Sequence, residues 1–317
     1  MKTSGYLLSA VSALTLCVSF TASLYAQNAA PQTPVRLLVT AEARHGSNVP
    51  DITRSDVFVY EGHDRDQVTD WVPAQGDHAG LELFIVLDDG SSSSLGSQLE
   101  DLRKFITAQP ASTKIGLAYM QNGTAKVEQS PTTDHAAAAK ALRLPMSIRG
   151  VNASPYISLS DLIKRWPESP ERREVLMISD GIDRYYGSGD MTDPYVDTAI
   201  DDAQRAGILV SAIYNPGVGH FSHSYWQTYW GQLYLSQVAD KTGGEAYYLG
   251  LSGAPVSFTP YLEDLTRRLN HQYFLTFLAK PPKKAGLQPV KLRTEVRNVD
   301  LVSASKVYVS PEASDGR

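Results

Sequence analysis

Phe84-Ile85-Val86-Leu87-Asp88-Asp89-Gly90-Ser91-Ser92-Ser93-Ser94 is an apolar run of strand length that ends in two carboxylates, a glycine and a row of hydroxyls. An unbroken apolar run with no polar alternation reads as a strand buried on both faces, the pattern of parallel sheets lying between helices. The same grammar returns at Val175-Leu176-Met177-Ile178, which runs into Ser179-Asp180-Gly181-Ile182-Asp183.

Around these two runs, strand-length segments alternate with helical ones. Leu83 to Leu87 precedes Leu99 to Ile106, and Ile115 to Met120 precedes Ala136 to Leu144. Ser160 to Trp166, Val175 to Ile178, Val196 to Ala206, Ile208 to Ile213, Leu233 to Lys241, Ala246 to Leu249 and Tyr261 to Leu269 continue the series. This order predicts an α/β fold, a doubly wound and mostly parallel sheet covered on both faces. Further out the pattern turns to β alone. Arg36 to Thr40, Val57 to Tyr60 and Gln67 to Trp71 precede the α/β part, and Tyr273 to Leu278, Val290 to Val296 and Val307 to Val309 follow it. The two flanks are expected to pair as one small β-domain. The division is then an N-terminal β segment over 27–80, the α/β domain over 81–271, a C-terminal β segment over 272–311 and a tail over 312–317.

Residues 1–26 read as an export leader: Lys2 precedes the charge-free stretch Leu7 to Phe20, and Ala26 offers cleavage before Gln27. The apolar run is short of the ~20 residues of a transmembrane helix, so no stable membrane span is expected after cleavage, and a secreted or periplasmic location is. Cys17, the single cysteine, lies in this leader between Leu16 and Val18, which does not suit lipid attachment. No disulfide, thiol nucleophile or cysteine-based zinc site follows for the mature chain. Lys and Arg total 29 against 34 Asp and Glu, a net charge of -5. With no basic patch found, nucleic acid is excluded as an expected partner.

In open α/β sheets, ligands bind where strand-to-helix loops leave the carboxyl ends of the strands. There a strand-end carboxylate followed by spaced hydroxyls offers hard oxygens suited to magnesium, manganese or calcium. The residues resemble the von Willebrand factor type A family with its metal-ion-dependent adhesion site. Asp89-Gly90-Ser91-Ser92-Ser93 fits D-x-S-x-S, and Met177-Ile178-Ser179-Asp180-Gly181 fits an apolar strand ending in T-D-G with Ser for Thr. The family takes a further threonine from the loop before its third helix, and Ser154 is the equivalent here, with Ser147, Ser158 and Thr133 as alternatives. The resemblance implies a divalent cation, magnesium first and manganese or calcium otherwise, held by Asp89, Ser91, Ser93, Ser154 and Asp180. It also implies capture of an acidic group on a protein partner. If Asp88 ends the strand instead, the hydroxyl positions become Gly90 and Ser92 and one ligand is lost; Asp89 is preferred because it supplies both serines. The bland alternatives are a serine loop capping the next helix and a turn acid before Gly181. The whole chain also looks like a bacterial exported subgroup of this family with flanking β segments.

Asn215 to Trp226 forms a third loop after a strand, with Tyr229, Trp230 and Tyr234 close behind. His220, Phe221, Tyr225, Trp226 and Trp230 are candidate anchors for a protein, or for a glycan, on the same rim. His220 and His223 lack a third placed zinc ligand, and Gly217-Val218-Gly219 lacks the last glycine of a dinucleotide fingerprint. Asp180-Gly181-Ile182-Asp183 fits a haloacid dehalogenase-type phosphohydrolase loop, but Ser91 or Gly90 stands where that family needs its second aspartate. No G-x-S-x-G elbow is present. The expectation is therefore an exported, metal-dependent protein-binding or adhesion module and not an enzyme; the alternatives are a metal-free scaffold acting through its loops, then a phosphohydrolase-like metal enzyme.

Overall fold

The first flank supplies β1 (Thr33–Ala43), β2 (Val57–Glu61) and β3 (Asp64–Pro73). The α/β part holds β4 (Leu81–Asp88), α1 (Gly96–Thr107), β5 (Thr113–Gln121), β6 (Thr124–Thr132), α2 (His135–Ala141) and α3 (Pro155–Arg165). It continues with β7 (Arg172–Ser179), α4 (Pro194–Ala206), β8 (Leu209–Tyr214), α5 (Tyr225–Thr242), β9 (Ala246–Tyr247) and α6 (Thr259–Asn270). The second flank supplies β10 (Gln272–Ala279), β11 (Gly286–Pro289), β12 (Lys291–Thr294), β13 (Val299–Ser303) and β14 (Lys306–Val309). The computed structural model describes residues 32–46, 48–90, 95–147, 153–187, 192–215, 225–248 and 256–311.

The central sheet has the order β6-β5-β4-β7-β8-β9, parallel throughout except for β6. Both faces are apolar, as the sequence pattern requires. Leu83, Ile85 and Leu87 of β4 face α1 and α6, while Phe84 and Val86 face α3, α4 and α5. Chain order reverses between β4 and β7, so the carboxyl ends of these two strands form the topological switch point where such sheets bind ligands.

The flanks do pair. β12-β2-β3-β10-β1-β13 is one antiparallel sheet, with β1 against β10 from Thr33↔Ala279 to Thr40↔Gln272. Val35, Leu37, Val39 and Ala41 alternate onto one face and pack with Val57, Val59, Leu275, Phe277 and Val307. The opposite face meets the α/β part at the far end of the sheet from the switch point, where Leu38 and Phe274 pack on Leu209, the first residue of β8. Arg268, 8% exposed, clamps the joint by pairing with Glu42 on β1 and with Glu245 ahead of β9. The expected fold class is the one observed. Among the described residues no helix is long and apolar enough to cross a membrane.

The structure departs from the sequence pattern at three places. Thr124–Thr132 is a strand hairpinned to β5 through Asn122-Gly123, whose φ angles of +48° and +82° suit the tight turn that this dipeptide favours. Val290 to Val296 is not one strand, because β12 ends at Thr294 and the unforeseen β13 follows. Helix α5 begins at Tyr225, eight residues before the expected start, so Tyr225, Trp226 and Trp230 are helical residues and not loop residues.

Candidate functional site

The pleat decides which aspartate enters the switch point. Successive strand residues point to opposite faces, so Asp88 continues the Phe84 and Val86 side and Asp89 the other. Asp88 accepts 2.8 Å from the Gly90 amide and 3.1 Å from the Ser179 hydroxyl at the end of β7. Asp89 turns away: it is 1% exposed and its carboxylate takes a bidentate pair from Arg143 at 2.7 and 3.0 Å, with the Met146 amide at 2.8 Å and Gln121. Burial pushes the Asp89 carboxyl up, but Arg143, Met146 and Gln121 outweigh it and hold it below the ordinary range. Asp88 is thus the aspartate that lies beside Ser179 and Asp180, while Asp89, preferred from the sequence as the metal-ligand candidate, is bonded to Arg143.

Asp180 follows β7 and is 1% exposed. Its Oδ1 accepts from the Ile182 amide at 3.0 Å and from Arg184 Nη1 at 3.3 Å, and its Oδ2 pairs with Arg184 Nη2. Ser154 caps α3 by accepting from the Ile157 amide at 3.2 Å and donates to Asp183 Oδ2 at 2.6 Å. Ser158 donates to the Ser154 carbonyl at 2.9 Å. Asp183 also accepts from the amides of Tyr185 and Tyr186, at 2.8 and 2.9 Å. Ser91, Ser93, His220 and Phe221 lie outside the described residues.

The described donors do not fit a divalent ion. Ser154 and Asp180 are committed to protein partners, Asp89 pairs with Arg143, and the cation beside Asp180 is Arg184. Among the described residues no group of three or more His, Cys, Asp or Glu is placed to hold a metal.

Loss of water, and then the neighbouring Asp180, push the Asp88 carboxyl up to about 6. An unfolded aspartate titrates near 3.9, so between these values the native state binds the extra proton and wild-type stability falls as pH rises. Asp88→Asn does not titrate. Its stability relative to wild type is therefore expected to improve by about 2 kcal/mol from pH 4 to pH 7, as urea unfolding at both pH values would show. A constant difference would contradict the assigned environment of Asp88.

Two glycines fix helix α5 onto this loop. A Cβ at Gly231 would lie 2.1 Å from the Asp180 carbonyl oxygen, and one at Gly181, where φ is +67°, would lie 2.3 Å from the Gly231 carbonyl oxygen. Tyr156 from α3 donates to the Gly181 carbonyl at 2.7 Å and meets Tyr234 edge-on. From Tyr234 a chain of ring contacts runs through Trp230, Tyr229 and Trp226 to Tyr225. Its outer members are open to solvent, Tyr225 at 60%, Trp226 at 64% and Tyr229 at 39%. Tyr185 and Tyr186, both exposed, pack on Tyr195 from the loop after β7. Sequence reasoning named Tyr225, Trp226 and Trp230 but missed Arg184, Tyr185 and Tyr186, although the last three follow directly on the aspartate loop it singled out.

No protein-family model matches the chain, and no curated protein sequence matches it. Solved structures similar in fold include a von Willebrand factor type A protein from Catenulispora acidiphila, 12% identical, with a TM-score of 0.46 over 92% of this chain and 77% of that one. Others are an aerotolerance-related membrane protein from Bacteroides fragilis, 15% identical, TM-score 0.42 over 60% and 99% of the two chains, and three N-terminal domains of the type V pili tip protein Mfa5 from Porphyromonas gingivalis, 11% identical, TM-score 0.41 over 88% and 66%. These likenesses are distant, and the fold assignment above stands on strand order and pairing alone.

Proposed function

We propose that the protein is an exported protein-binding module of von Willebrand type A kind that captures its partner on the aromatic rim of the switch point. The observation that carries this reading is the solvent-facing row Tyr225, Trp226 and Tyr229 on the first turns of α5. Large aromatic side chains bury much area at small entropic cost, and exposed clusters of them mark interaction sites. The row is backed by Trp230, Tyr234 and Tyr156, so it is presented by a packed support. Metal-dependent capture through Asp89, Ser91, Ser93, Ser154 and Asp180 is the form of this reading that the described donors favour least, since Asp180 and Ser154 are already bonded within the chain.

Because Tyr225 and Trp226 are more than half exposed, replacing both by Ala is expected to leave stability within about 0.5 kcal/mol of wild type. If they are anchors, partner affinity should fall by about a hundredfold or more, corresponding to at least about 2.7 kcal/mol. The test is capture of exported proteins from the source by the immobilised chain, then titration of the captured protein against wild type and the double variant. Equal affinity would refute the rim reading. Retention of a glycan in place of a protein would refute the partner class.

A further inference from the structure

At the end of the central sheet remote from the aromatic rim, the joint between the two parts holds a cavity of about 280 Å³. β1, β14, the carboxyl end of α4 and the segment entering β7 wall it. Five cations line it, Arg36, Arg172, Arg173, Arg205 and Lys306, against the single carboxylate of Glu171, although the whole chain carries a net charge of -5. Lys306 lies 3.5 Å from Asp201, and Glu171 pairs with Lys114 at 2.9 Å. The four arginines have no such match, because among the described residues none is bonded to a carboxylate. Arg172 donates to the carbonyls of Leu269 and Ala79 at 2.9 and 3.0 Å, and Arg173 to that of Pro167 at 3.2 Å. Arg36 lies over the Phe274 ring at 3.7 Å and Arg205 over the Tyr308 ring at 5.5 Å. A ring takes the face of a guanidinium and leaves the N–H donors in its plane open. The charges carry the mark of this arrangement. Hydrogen bonds to Asp300 and Asp89 raise the pKa values of Arg44 and Arg143, whereas burial lowers those of Arg36, Arg172 and Arg173.

We infer that this cavity binds a small organic phosphate, with Arg36 and Arg205 taking the phosphoryl oxygens and the apolar lining taking the carbon part. A cleft lined by one sign of charge between low-dielectric walls concentrates the opposite ion. Guanidinium donors form a fork that matches phosphate oxygens two at a time. A phosphate group carries up to two charges and three acceptor oxygens, so one ligand can serve both open guanidiniums. A carboxylate, with one charge, serves them less well. Leu38, Ile208, Leu209, Phe274 and Val307 supply the apolar lining. The volume lies just under that of ordinary ligand pockets, which limits the carbon part to a few atoms. The site shares no residue with the aromatic rim, so it stands or falls separately from partner capture there.

The test is calorimetric titration of the full chain with butyl phosphate, inorganic phosphate and butyrate. Wild type is expected to show one saturable site for butyl phosphate with a Kd below about 1 mM, and affinities at least about tenfold weaker for the other two probes. Arg36→Gln combined with Arg205→Gln should weaken butyl phosphate at least about tenfold. Both side chains are exposed, so the double variant is expected to keep the wild-type urea midpoint. Should it fail to fold, Arg205→Gln alone must show a loss of affinity. No saturable heat with butyl phosphate up to about 10 mM would overturn the inference, as would equal binding by the folded double variant. Butyrate binding as tightly as butyl phosphate would overturn the phosphate assignment, and inorganic phosphate binding as tightly would overturn the role of the apolar lining.

Discussion

Replacing Arg143 by Ala is expected to destabilise the protein by about 2–3 kcal/mol at pH 7, less than for a fully buried pair because the Arg143 side chain is 30% exposed. Asp89 is 1% exposed, and the two Arg143 nitrogens at 2.7 and 3.0 Å are the only positive groups bonded to it among the described residues. The variant leaves a carboxylate enclosed with the Gln121 amide and the Met146 amide but no counter-charge. The backbone contacts of Arg143 with the Tyr119 hydroxyl, 2.8 Å from both its amide and its carbonyl, survive the substitution, so the loss belongs to the guanidinium. Its pH dependence has a defined sign. In wild type the Asp89 pKa is held low, so its stabilisation is present above the unfolded value near 3.9 and is lost as pH falls through the folded value. In the variant burial acts unopposed by Arg143 and raises the pKa, so the deficit should shrink on acidification as Asp89 takes up a proton. Urea unfolding at pH 7 and pH 5 checks both statements. Adding Asp89→Leu should recover part of the loss, since removing both charges spares the buried ion. A cost below about 1 kcal/mol would mean that the pair behaves as a surface one.

Gly231→Ala is expected to cost about 3 kcal/mol, against the helix-propensity rule. On an exposed helix this exchange stabilises by about 1 kcal/mol, because Ala is the better helix former. Here the new methyl carbon would lie 2.1 Å from the Asp180 carbonyl oxygen and 3.3 Å from Ile182. Backbone at that distance cannot yield as a flexible side chain can, so α5 and the aspartate loop must part, and overpacking of this kind outweighs the propensity gain. The separation would also break the support under Trp230 and Tyr234. Urea unfolding with near-ultraviolet circular dichroism, which reports the packed aromatic rings, measures both effects. A stabilised variant with an unchanged aromatic spectrum would contradict the close approach of α5.

The architecture was legible because its signal is repeated: apolar runs such as Val175 to Ile178 recur between helical segments, and each reinforces the same parallel sheet. The aspartate register was not legible for a physical reason. In a strand buried on both faces, Phe84 and Val86 look as apolar as Leu83, Ile85 and Leu87, so no polarity contrast tells which side of the pleat Asp88 or Asp89 takes. The Asn122-Gly123 hairpin carried a local signal that the turn chemistry alone would have revealed. Arg184 carried none, since a basic residue four places after an acid is ordinarily solvated, and only the fold makes it the half-buried counter-ion of the buried Asp180. The start of α5 was hidden for another reason. Gly231 interrupts the helical pattern, and the aromatic residues before it form no single stripe, so the period became readable only from Leu233.

On the proposed reading the aromatic rim captures a protein without help from a divalent ion. The most direct measurement is capture of the source's exported proteins by the immobilised chain in magnesium and in excess chelator, beside Trp226→Ala. A protein retained equally in both buffers and lost with the variant is the expected result. Retention that needs magnesium and survives Trp226→Ala would contradict it and return the site to the metal.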